Sequence, residues 1–354
     1  MIQTDAVVIG AGPVGLFQVF QLGLLGVRAH LIDVLPEPGG QCVALYPDKP
    51  IYDVPGIPVC SGRELTAQLL RQAAPFLRTQ PGDGREINLH LGHLVEHLAQ
   101  PAPGQFEVRT QQGLQIQCRA VFVAAGAGAF LPRGLNVPGL EGCANVHYQP
   151  LLGLRGDWHG QHVVIAGGSD EALKTALDLA ALPDAQRPLQ ITLLHRRDQF
   201  QAELDVEAAF QVALGAGVVQ LAIGMPTDAQ IENGRAQSLT LLGPDSQPRP
   251  LTLDQLLVRQ GMSPKLGPLT QWGLALERKQ VPVSSSSFES PTPGIYAVGD
   301  INTYPGKKRL LLCGFHEATL AAHDAATALH PDAPQQLLYT TTSPLLHQRL
   351  GVLS

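Results

Sequence analysis

The sequence predicts an α/β protein built from two doubly wound domains, with one domain inserted into the other. Two stretches, residues 5–33 and 161–197, each run through an apolar strand, a glycine turn, a helix and a second strand. A third stretch nearer the carboxyl terminus contains another apolar strand that ends in Gly-Asp and is followed by a helix. This order predicts that residues 1–125 and 256–354 form one domain and residues 126–255 the other.

The first stretch reads DAVVIGAGPVGLFQVFQLGLLGVRAHLID and carries a glycine fingerprint between its strand and its helix. Gly10 permits the tight turn, Gly12 lets the backbone approach a pyrophosphate, and Gly15 lets helix and strand pack closely. Pro13 opens the helix in the same turn, and Asp33 ends the second strand as an acceptor for a ribose hydroxyl. The stretch therefore predicts a Rossmann-like domain that binds a dinucleotide.

The second stretch, QHVVIAGGSDEALKTALDLAALPDAQRPLQITLLHRRD, repeats this plan with Gly167 and Gly168 in its turn. Ser169 stands where the close-approach glycine is expected, and Asp170 follows it. A serine is tolerated there if its backbone geometry is one that a residue with a side chain adopts. We therefore expect a second dinucleotide-binding turn at these four residues.

Two arginines, rather than an acid, follow the second strand of this stretch. Arg196 and Arg197 can pair bidentately with a ribose 2′-phosphate, which an acid would repel. The pair therefore favours NADP over NAD. The alternative is that the two guanidinium groups only solvate the end of a strand.

Composition argues against several classes of protein. The 354 residues are 44% hydrophobic, which allows two domains with their own cores, and the formal charge of −6 gives no general reason to bind nucleic acid or an anionic membrane. The five cysteines contain no C-x-x-C pair, and neither they nor the histidines show metal spacing. No apolar run approaches the ~20 residues that cross a bilayer, and the amino terminus lacks a basic leader. We expect a cytoplasmic protein without a metal.

Seven short motifs, taken in their order, carry a resemblance to a known family. With them the chain resembles the two-dinucleotide-binding flavoproteins, and among these the ferredoxin–NADP reductases of the thioredoxin-reductase-like type. The resemblance implies FAD on the first turn, NADP on the second, ferredoxin or flavodoxin as the electron carrier, and a homodimer whose C-terminal extension reaches the flavin. The motifs are GAGPVGLF, GGQCVALYPDKPIYDVPGIP, AAGAGAFLPR, VIAGGSDEA, HRRDQF, GDINTYPGK and GFHEA.

The same resemblance implies further residues around the flavin. It places the ring of Tyr46 against one face of the isoalloxazine and that of Tyr339, in the C-terminal extension, against the other. The remaining flavin-binding positions that it implies are Gly40, Gln41, Phe130, Asp300 and Thr342. One departure from the family pattern is Gln201, which stands where an arginine is common and leaves the 2′-phosphate mainly to the two arginines before it.

The cysteines disfavour a thioredoxin reductase, which needs a C-x-x-C dithiol in its NADP domain. In the corresponding region Cys143 is followed by Ala-Asn-Val, so that dithiol is absent. Cys42 lies behind a Gly-Gly-Gln turn, but Pro47 stands where the second cysteine of a lipoamide-dehydrogenase type would be. We therefore interpret Cys42 as a small buried apolar residue.

The expected activity is transfer of single electrons to or from a protein carrier and of a hydride between flavin and NADP, with no catalytic acid or base. Two alternatives stay open: an NADPH-dependent flavin reductase of a quinone or another small acceptor, and a flavin-bound redox sensor. The basic run Lys307, Lys308 and Arg309 predicts a docking surface for an acidic carrier. The alternative is that these three basic residues only form a solvated turn.

Overall fold

The computed structural model describes residues 1–78, 87–148, 158–332 and 337–352. The α-helices are α1 (Pro13–Leu24), α2 (Gly40–Ala44), α3 (Gly62–Ala73), α4 (Asp170–Ala180), α5 (Leu204–Gly215), α6 (Leu311–Leu329) and α7 (Pro344–Leu350).

The strands of the first half of the chain are β1 (Ile2–Gln3), β2 (Ala6–Ile9), β3 (Ala29–Asp33), β4 (Pro50–Ile51), β5 (Cys60–Ser61), β6 (Leu89–Leu91), β7 (Val95–Ala102), β8 (Gln105–Thr110), β9 (Gln115–Cys118), β10 (Ala120–Val123), β11 (Ala129–Pro132) and β12 (Val146–His147). Those of the second half are β13 (His162–Ala166), β14 (Gln190–His195), β15 (Gln220–Ile223), β16 (Met225–Glu232), β17 (Arg235–Leu242), β18 (Pro248–Thr252), β19 (Gln255–Val258), β20 (Met262–Lys265), β21 (Val281–Pro282), β22 (Ile295–Ala297) and β23 (Asn302–Thr303).

The chain divides into two compact units, which we call unit 1 and unit 2. Unit 1 comprises Met1–Phe130 and Pro264–Ser354, and unit 2, Leu131–Ser263, is inserted between these two parts. The predicted fold class, one α/β domain inserted in another, is confirmed. The division falls a few residues after the expected limits 126 and 255. At the second limit the reason is that β19 pairs with β13 and so belongs to the sheet of unit 2.

Unit 1 is built on a parallel five-stranded sheet in the order β22-β10-β2-β3-β6. Strands β2, β3 and β10 are buried along their whole length, as expected for a parallel sheet that is covered on both faces. Helix α1 packs against α3 and α6 on one face, and the sheet β1-β9-β8-β7 covers the other. The carboxyl ends of the parallel strands meet at one edge, which is where ligands bind in such sheets.

Unit 2 repeats this plan with a second parallel sheet in the order β12-β19-β13-β14-β15. Helices α4 and α5 cover one face of this sheet. The antiparallel sheet β16-β17-β18 contributes apolar side chains to the core on the other face. The turn between β13 and α4 therefore lies at the carboxyl edge of the sheet, next to the ends of β14 and β19.

Local sequence signals determine where several helices begin and end. Helix α3 starts with a capping box, in which the Ser61 Oγ accepts from the Glu64 amide at 3.2 Å and the Glu64 carboxylate accepts from the Ser61 amide at 2.7 Å. Helix α7 begins after the Ser343 cap and ends before Gly351, whose φ of +71° suits glycine.

Each unit contains one of the two tryptophans of the chain. Trp158 is buried in the core of unit 2, and Trp272 is half-buried against the core of unit 1. Within the four ranges given above, none of the helices combines the length and the apolar composition needed to cross a membrane.

Candidate nucleotide-binding sites

The first glycine turn connects β2 to α1 at the carboxyl edge of the unit 1 sheet. Gly10 has a φ of +110°, and a Cβ atom on it would lie 2.4 Å from the Ala124 carbonyl oxygen. A Cβ atom on Gly15 would lie 1.8 Å from the Gly10 carbonyl oxygen, so only glycine lets the helix approach the strand this closely. Gly12 faces open space, because the nearest atom to an added Cβ is the Gly40 Cα at 3.9 Å.

Asp33, the last residue of β3, is hydrogen-bonded to this turn. Its Oδ2 accepts from the Ala11 amide at 2.5 Å, and its Oδ1 accepts from the Leu35 amide at 2.8 Å. Burial raises the pKa of Asp33, and the backbone hydrogen bonds oppose that effect. The structure therefore places the carboxylate beside the turn, in contact with the backbone that a nucleotide would approach.

A second glycine pair lies opposite Gly12. Gly39 and Gly40 have φ angles of +115° and +53° and lead into α2. A Cβ atom on Gly40 would lie 3.0 Å from the Gly12 Cα, so the two backbones approach each other without side chains between them. The Gln41 Nε2 lies 3.0 Å from the position of a Cβ on Gly126, which follows β10. The Gln41 side chain thus reaches the carboxyl edge of the sheet.

Cys42 is buried beneath this edge as a free thiol. Its Sγ lies 3.6 Å from the Tyr46 Oη. Burial raises the pKa of the Cys42 thiol, and it also raises the pKa of the Tyr46 hydroxyl, with the Asp300 carboxylate adding to both shifts. A thiol with a raised pKa forms little of the nucleophilic thiolate. The structure confirms that Cys42 is a buried, free residue.

Asp300 follows β22 at the same carboxyl edge. Its backbone carbonyl accepts from the Gln280 Nε2 at 3.1 Å. Its carboxylate makes no hydrogen bond to any residue that the structure describes, which leaves both oxygens free for a ligand. Phe130, the other expected residue of this region, lies on β11, and its side chain is outside the described part of the chain.

A fully buried carboxylate on α6, Glu317, fixes the loop after β22. Its Oε2 accepts from the Gly299 amide at 2.7 Å and from the Asn302 Nδ2 at 2.8 Å. Its Oε1 accepts from the Tyr304 Oη at 2.9 Å and from the Lys307 Nζ at 2.5 Å. Sequence reasoning missed Glu317, although an acid inside the otherwise apolar run GFHEATLAA is a signal that it has a buried partner.

This network corrects the prediction for the basic run. The Lys307 side chain is only 8% exposed, and its ammonium group is paired with Glu317 and donates to the Gly299 carbonyl at 2.8 Å. The prediction that Lys307 belongs to a docking surface was wrong, because its charge is neutralised inside unit 1. Lys308 and Arg309 are exposed.

The expected tail residues lie just before α7. Tyr339 is 63% exposed, and the Thr342 amide donates to its carbonyl at 3.1 Å, in a turn in which both residues are exposed. Helix α7 packs against α1, where the Arg349 Nη1 donates to the Leu24 carbonyl at 2.5 Å. The tail is therefore fixed at the carboxyl end of α1, the end opposite to the glycine turn.

The second glycine turn, in unit 2, connects β13 to α4. A Cβ atom on Gly167 would lie 2.2 Å from the Arg259 carbonyl oxygen, and one on Gly168 would lie 2.3 Å from the His195 ring. Ser169 has a φ of −96° and a ψ of 169°, an extended conformation that any residue adopts, which explains why serine is tolerated here. Its Oγ is buried and has no hydrogen-bond partner in the described residues.

Asp170 and Gln201 both support this turn. The Asp170 carboxylate accepts from the Glu203 amide at 3.1 Å and pairs with Lys174 at 2.6 Å. The Gln201 amide donates to the Gly168 carbonyl at 2.8 Å, and its own carbonyl accepts from the Asp170 amide at 3.1 Å. Since these contacts of Gln201 are made by its backbone, the loop after β14 can pair with the turn whatever side chain stands there.

Arg196 and Arg197 follow β14, and both are exposed. Burial lowers the pKa of the preceding His195, and the two guanidinium charges lower it further. Since the His195 ring lies against Gly168, the arginines stand at the end of the strand beside the glycine turn. This is the position that the sequence predicts for them, and it is compatible both with phosphate binding and with a solvated strand end.

Arg259 is a residue of this edge that the motifs do not reveal. It follows β19, its amide donates to the Ala166 carbonyl at 2.7 Å, and it is only 3% exposed. Its Nη1 donates to the Val258 carbonyl at 3.1 Å and to the His147 carbonyl at 3.5 Å, and its Nε lies 3.6 Å from the Glu171 Oε1. Burial lowers the pKa of Arg259, and the Glu171 carboxylate opposes this. The available signal is an arginine that interrupts the apolar segment LLVRQGM.

Each unit thus carries a glycine turn between a buried parallel strand and a helix, which defines a protein with two dinucleotide-binding folds. No cluster of three or more His, Cys, Asp or Glu side chains in the described ranges could hold a metal ion. The chain belongs to the pyridine nucleotide-disulphide oxidoreductase family, whose model matches residues 4–325.

Curated relatives match the chain over nearly its whole length. A ferredoxin–NADP reductase of Paracidovorax citrulli is 50% identical over an alignment of 363 positions, which covers 99% of this chain and 97% of the relative. A protein of the same name from Acidovorax sp. is 50% identical over 353 residues, covering 98% of this chain and 95% of the relative. The resemblance carried by the seven motifs is confirmed.

Solved structures show the same fold at low sequence identity. Bacillithiol disulfide reductase from Staphylococcus aureus has a TM-score of 0.61 at 15% identity and covers 94% of this chain and 100% of its own. Thioredoxin reductase from Lactococcus lactis has a TM-score of 0.58 at 20% identity and covers 93% of this chain and 99% of its own.

Proposed function

We propose that the protein is an FAD-dependent ferredoxin–NADP reductase, which exchanges single electrons with ferredoxin or flavodoxin and a hydride with NADP. The observation that carries the proposal is the combination of two glycine turns, one in each unit, with cysteines that are all free. Relatives that bear this name at 50% identity support it. A dithiol relay has no support, because Cys42 is buried with a raised pKa and Cys143 lacks a C-x-x-C partner.

FAD fits the carboxyl edge of unit 1. Gly12 and Gly40 leave a cradle free of side chains in which the pyrophosphate would lie, and the turn from Gly10 through Pro13 to Gly15 would hold it. When bound, FAD supplies the exchange of single electrons and of a hydride. Asp33 would bind its ribose. Around the flavin ring we place Gln41, Tyr46, Phe130 and Asp300, with Tyr46 against one face.

NADP fits the corresponding edge of unit 2. The turn Gly167, Gly168, Ser169 and Asp170 would hold its pyrophosphate. A ligand at this position is supported by the buried Ser169 Oγ, which has no hydrogen-bond partner among the residues that the structure describes. Arg196 and Arg197 would grip the 2′-phosphate with their exposed guanidinium groups.

The chain needs no general acid or base for this reaction, because its side chains only orient the two cofactors and exclude water. Tyr46 and Tyr339 act by covering the flavin. They do not exchange protons with it.

We further propose a homodimer in the cytoplasm, in which Tyr339 and Thr342 cover the flavin of the partner subunit. Two features of the single chain support this: Tyr339 is 63% exposed, and α7 is fixed to the end of α1 that lies away from its own glycine turn. The five free cysteines fit a reducing compartment.

The proposal is tested by cofactor extraction and by an anaerobic assay of NADPH oxidation with ferredoxin, a quinone and a dithiol substrate offered in parallel. We expect noncovalent FAD and a higher kcat/KM with ferredoxin than with the other two acceptors. The Cys42→Ser variant should keep its turnover with ferredoxin. A loss of more than about a hundredfold, roughly 2.7 kcal/mol of barrier, with FAD retained would identify Cys42 as a redox centre instead.

A further inference from the structure

The second glycine turn carries an unusual amount of negative charge for a phosphate site. Asp170 and Glu171 are the first two residues of α4, directly after the turn. The amino terminus of a helix attracts a phosphate through its free amides and its dipole, but carboxylates in the same helical turn repel one. The proposed site in unit 2 therefore requires cations that offset these two acids.

Each acid pairs with a cation, and these two cations differ in their surroundings. Asp170 pairs with Lys174 on the surface of α4, where the lysine side chain is 50% exposed. Glu171 pairs with Arg259, whose side chain is only 3% exposed. Solvent screens the first pair strongly, whereas the charge of a buried guanidinium acts on its neighbours with much less screening.

We propose that Arg259 is the cation that allows this turn to accept the pyrophosphate of NADP, by offsetting the charge of Glu171 from inside the sheet edge. This inference rests on the proposed function and extends it to a positioning residue that none of the glycine or arginine motifs contains. The strand end that places Arg259 is the one beside β13, where the nucleotide crosses the sheet in folds of this kind.

The backbone and side chain of Arg259 are both fixed for this role. Its amide is bonded to the Ala166 carbonyl, and its own carbonyl fills the space that a Cβ on Gly167 would need. Its Nη1 is held by the Val258 and His147 carbonyls, which orients the plane of the guanidinium. Its Nε is buried and has no hydrogen-bond partner in the described residues. A buried donor in this state is costly to leave unsatisfied, and a nearby anion lowers that cost.

A purely structural role for Arg259 is the competing explanation, since Nη1 bridges the ends of β12 and β19. The two explanations differ in their dependence on Glu171. If Arg259 only bridges two strands, removing the Glu171 charge does not compensate for its loss. If Arg259 offsets the charge of Glu171, neutralising both Arg259 and Glu171 restores the binding of the NADP pyrophosphate.

The test is a cycle of Arg259→Gln, Glu171→Gln and the double variant, made in the full-length protein with FAD bound. Calorimetry with NADP⁺ gives the dissociation constant, and 2′-AMP, which lacks the pyrophosphate, reports the adenosine end alone. We expect Arg259→Gln to raise the dissociation constant for NADP⁺ by about tenfold or more, and the double variant to return within about threefold of the wild type. The dissociation constant for 2′-AMP should not change.

Lys174→Gln is the matched control, because it removes the exposed cation that pairs with Asp170, the other acid of the first turn of α4. It should change NADP⁺ binding less than threefold if screening is as described. NADP⁺ binding that is unchanged in Arg259→Gln, a double variant as weak as the single one, or an equal loss of 2′-AMP binding would each overturn the inference. A wild-type protein that binds neither ligand would overturn the proposed function itself.

Discussion

Lys307 and Lys308 are neighbours in the sequence but have opposite surroundings. The ammonium group of Lys307 is enclosed with Glu317, which also holds the Gly299 amide next to Asp300. Lys308 is exposed. A buried ion pair whose remaining hydrogen bonds are satisfied is costly to break from one side, because the partner charge is then left uncompensated.

We therefore predict that Lys307→Met lowers the free energy of unfolding by about 3 to 5 kcal/mol. Lys308→Met, the matched control, should change it by no more than about 0.5 kcal/mol. Urea unfolding followed by circular dichroism measures both. Equal effects of the two substitutions would mean that the Lys307–Glu317 pair does not persist in solution.

Single residues also show what the sequence can and cannot reveal. Gly10, Gly12 and Gly15 are identifiable because the turn imposes a fixed spacing on the chain itself. Lys307 was misjudged and Arg259 was missed because their partners, Glu317 and Glu171, come from other elements. Sequence spacing carries no information about a contact that only the fold creates.

Two histidines join neighbouring strands of the unit 1 sheet. The His30 Nδ1 on β3 lies 2.9 Å from the His90 Nε2 on β6, and the rings stack with their centroids 5.2 Å apart. Burial lowers the pKa of both imidazoles from 6.5 to about 4. The charge of Arg28 adds to the shift of His30, and the charges of His30 and His93 add to that of His90.

These shifts predict that acid weakens the pairing of β3 and β6. In the unfolded chain the two histidines bind protons below their ordinary pKa of 6.5, whereas in the folded chain they stay neutral down to about pH 4. The free energy of unfolding should therefore fall as the pH drops through this window. The urea midpoint measured between pH 7.5 and 5 tests this, and His90→Gln should flatten the curve. A curve equally flattened by His97→Gln, on β7, would contradict the assignment.

The loop after β14 brings Arg196 and Arg197 next to the second turn. Replacing both with alanine should raise the KM for NADPH much more than that for NADH, because only NADPH offers the 2′-phosphate to a guanidinium fork. The ratio of the two constants is the measurement. Arg235→Ala, at an exposed position of β17, is the control and should leave the ratio unchanged. A proportional rise for both nucleotides would indicate that the two arginines only solvate the strand.

For the whole molecule, the order of motifs sufficed to predict the insertion of one unit in the other. The limits of the inserted unit could not be placed from the sequence, because they depend on which strands pair. Strand β19 resembles any apolar segment until its pairing with β13 assigns it to unit 2.

The docking of an acidic electron carrier is expected to involve the exposed part of the basic run. Charge reversal by Lys308→Glu with Arg309→Glu should raise the KM for ferredoxin several-fold and weaken its dependence on salt, while turnover with a neutral dye stays constant. Lys279→Glu, at another exposed position of unit 1, is the matched control. Equal responses with ferredoxin and with dye would argue that the run is a solvated turn.

The distribution of the two tryptophans has a practical consequence for studying cooperativity. Since Trp158 lies in the core of unit 2 and Trp272 lies against the core of unit 1, replacing one with phenylalanine leaves tryptophan emission from only the other unit. The emission of each single-tryptophan variant then follows the melting of one unit without any attached label. Coincident transitions in the two variants would identify a single foldon, and separated transitions would give the order in which the inserted unit and its host unfold.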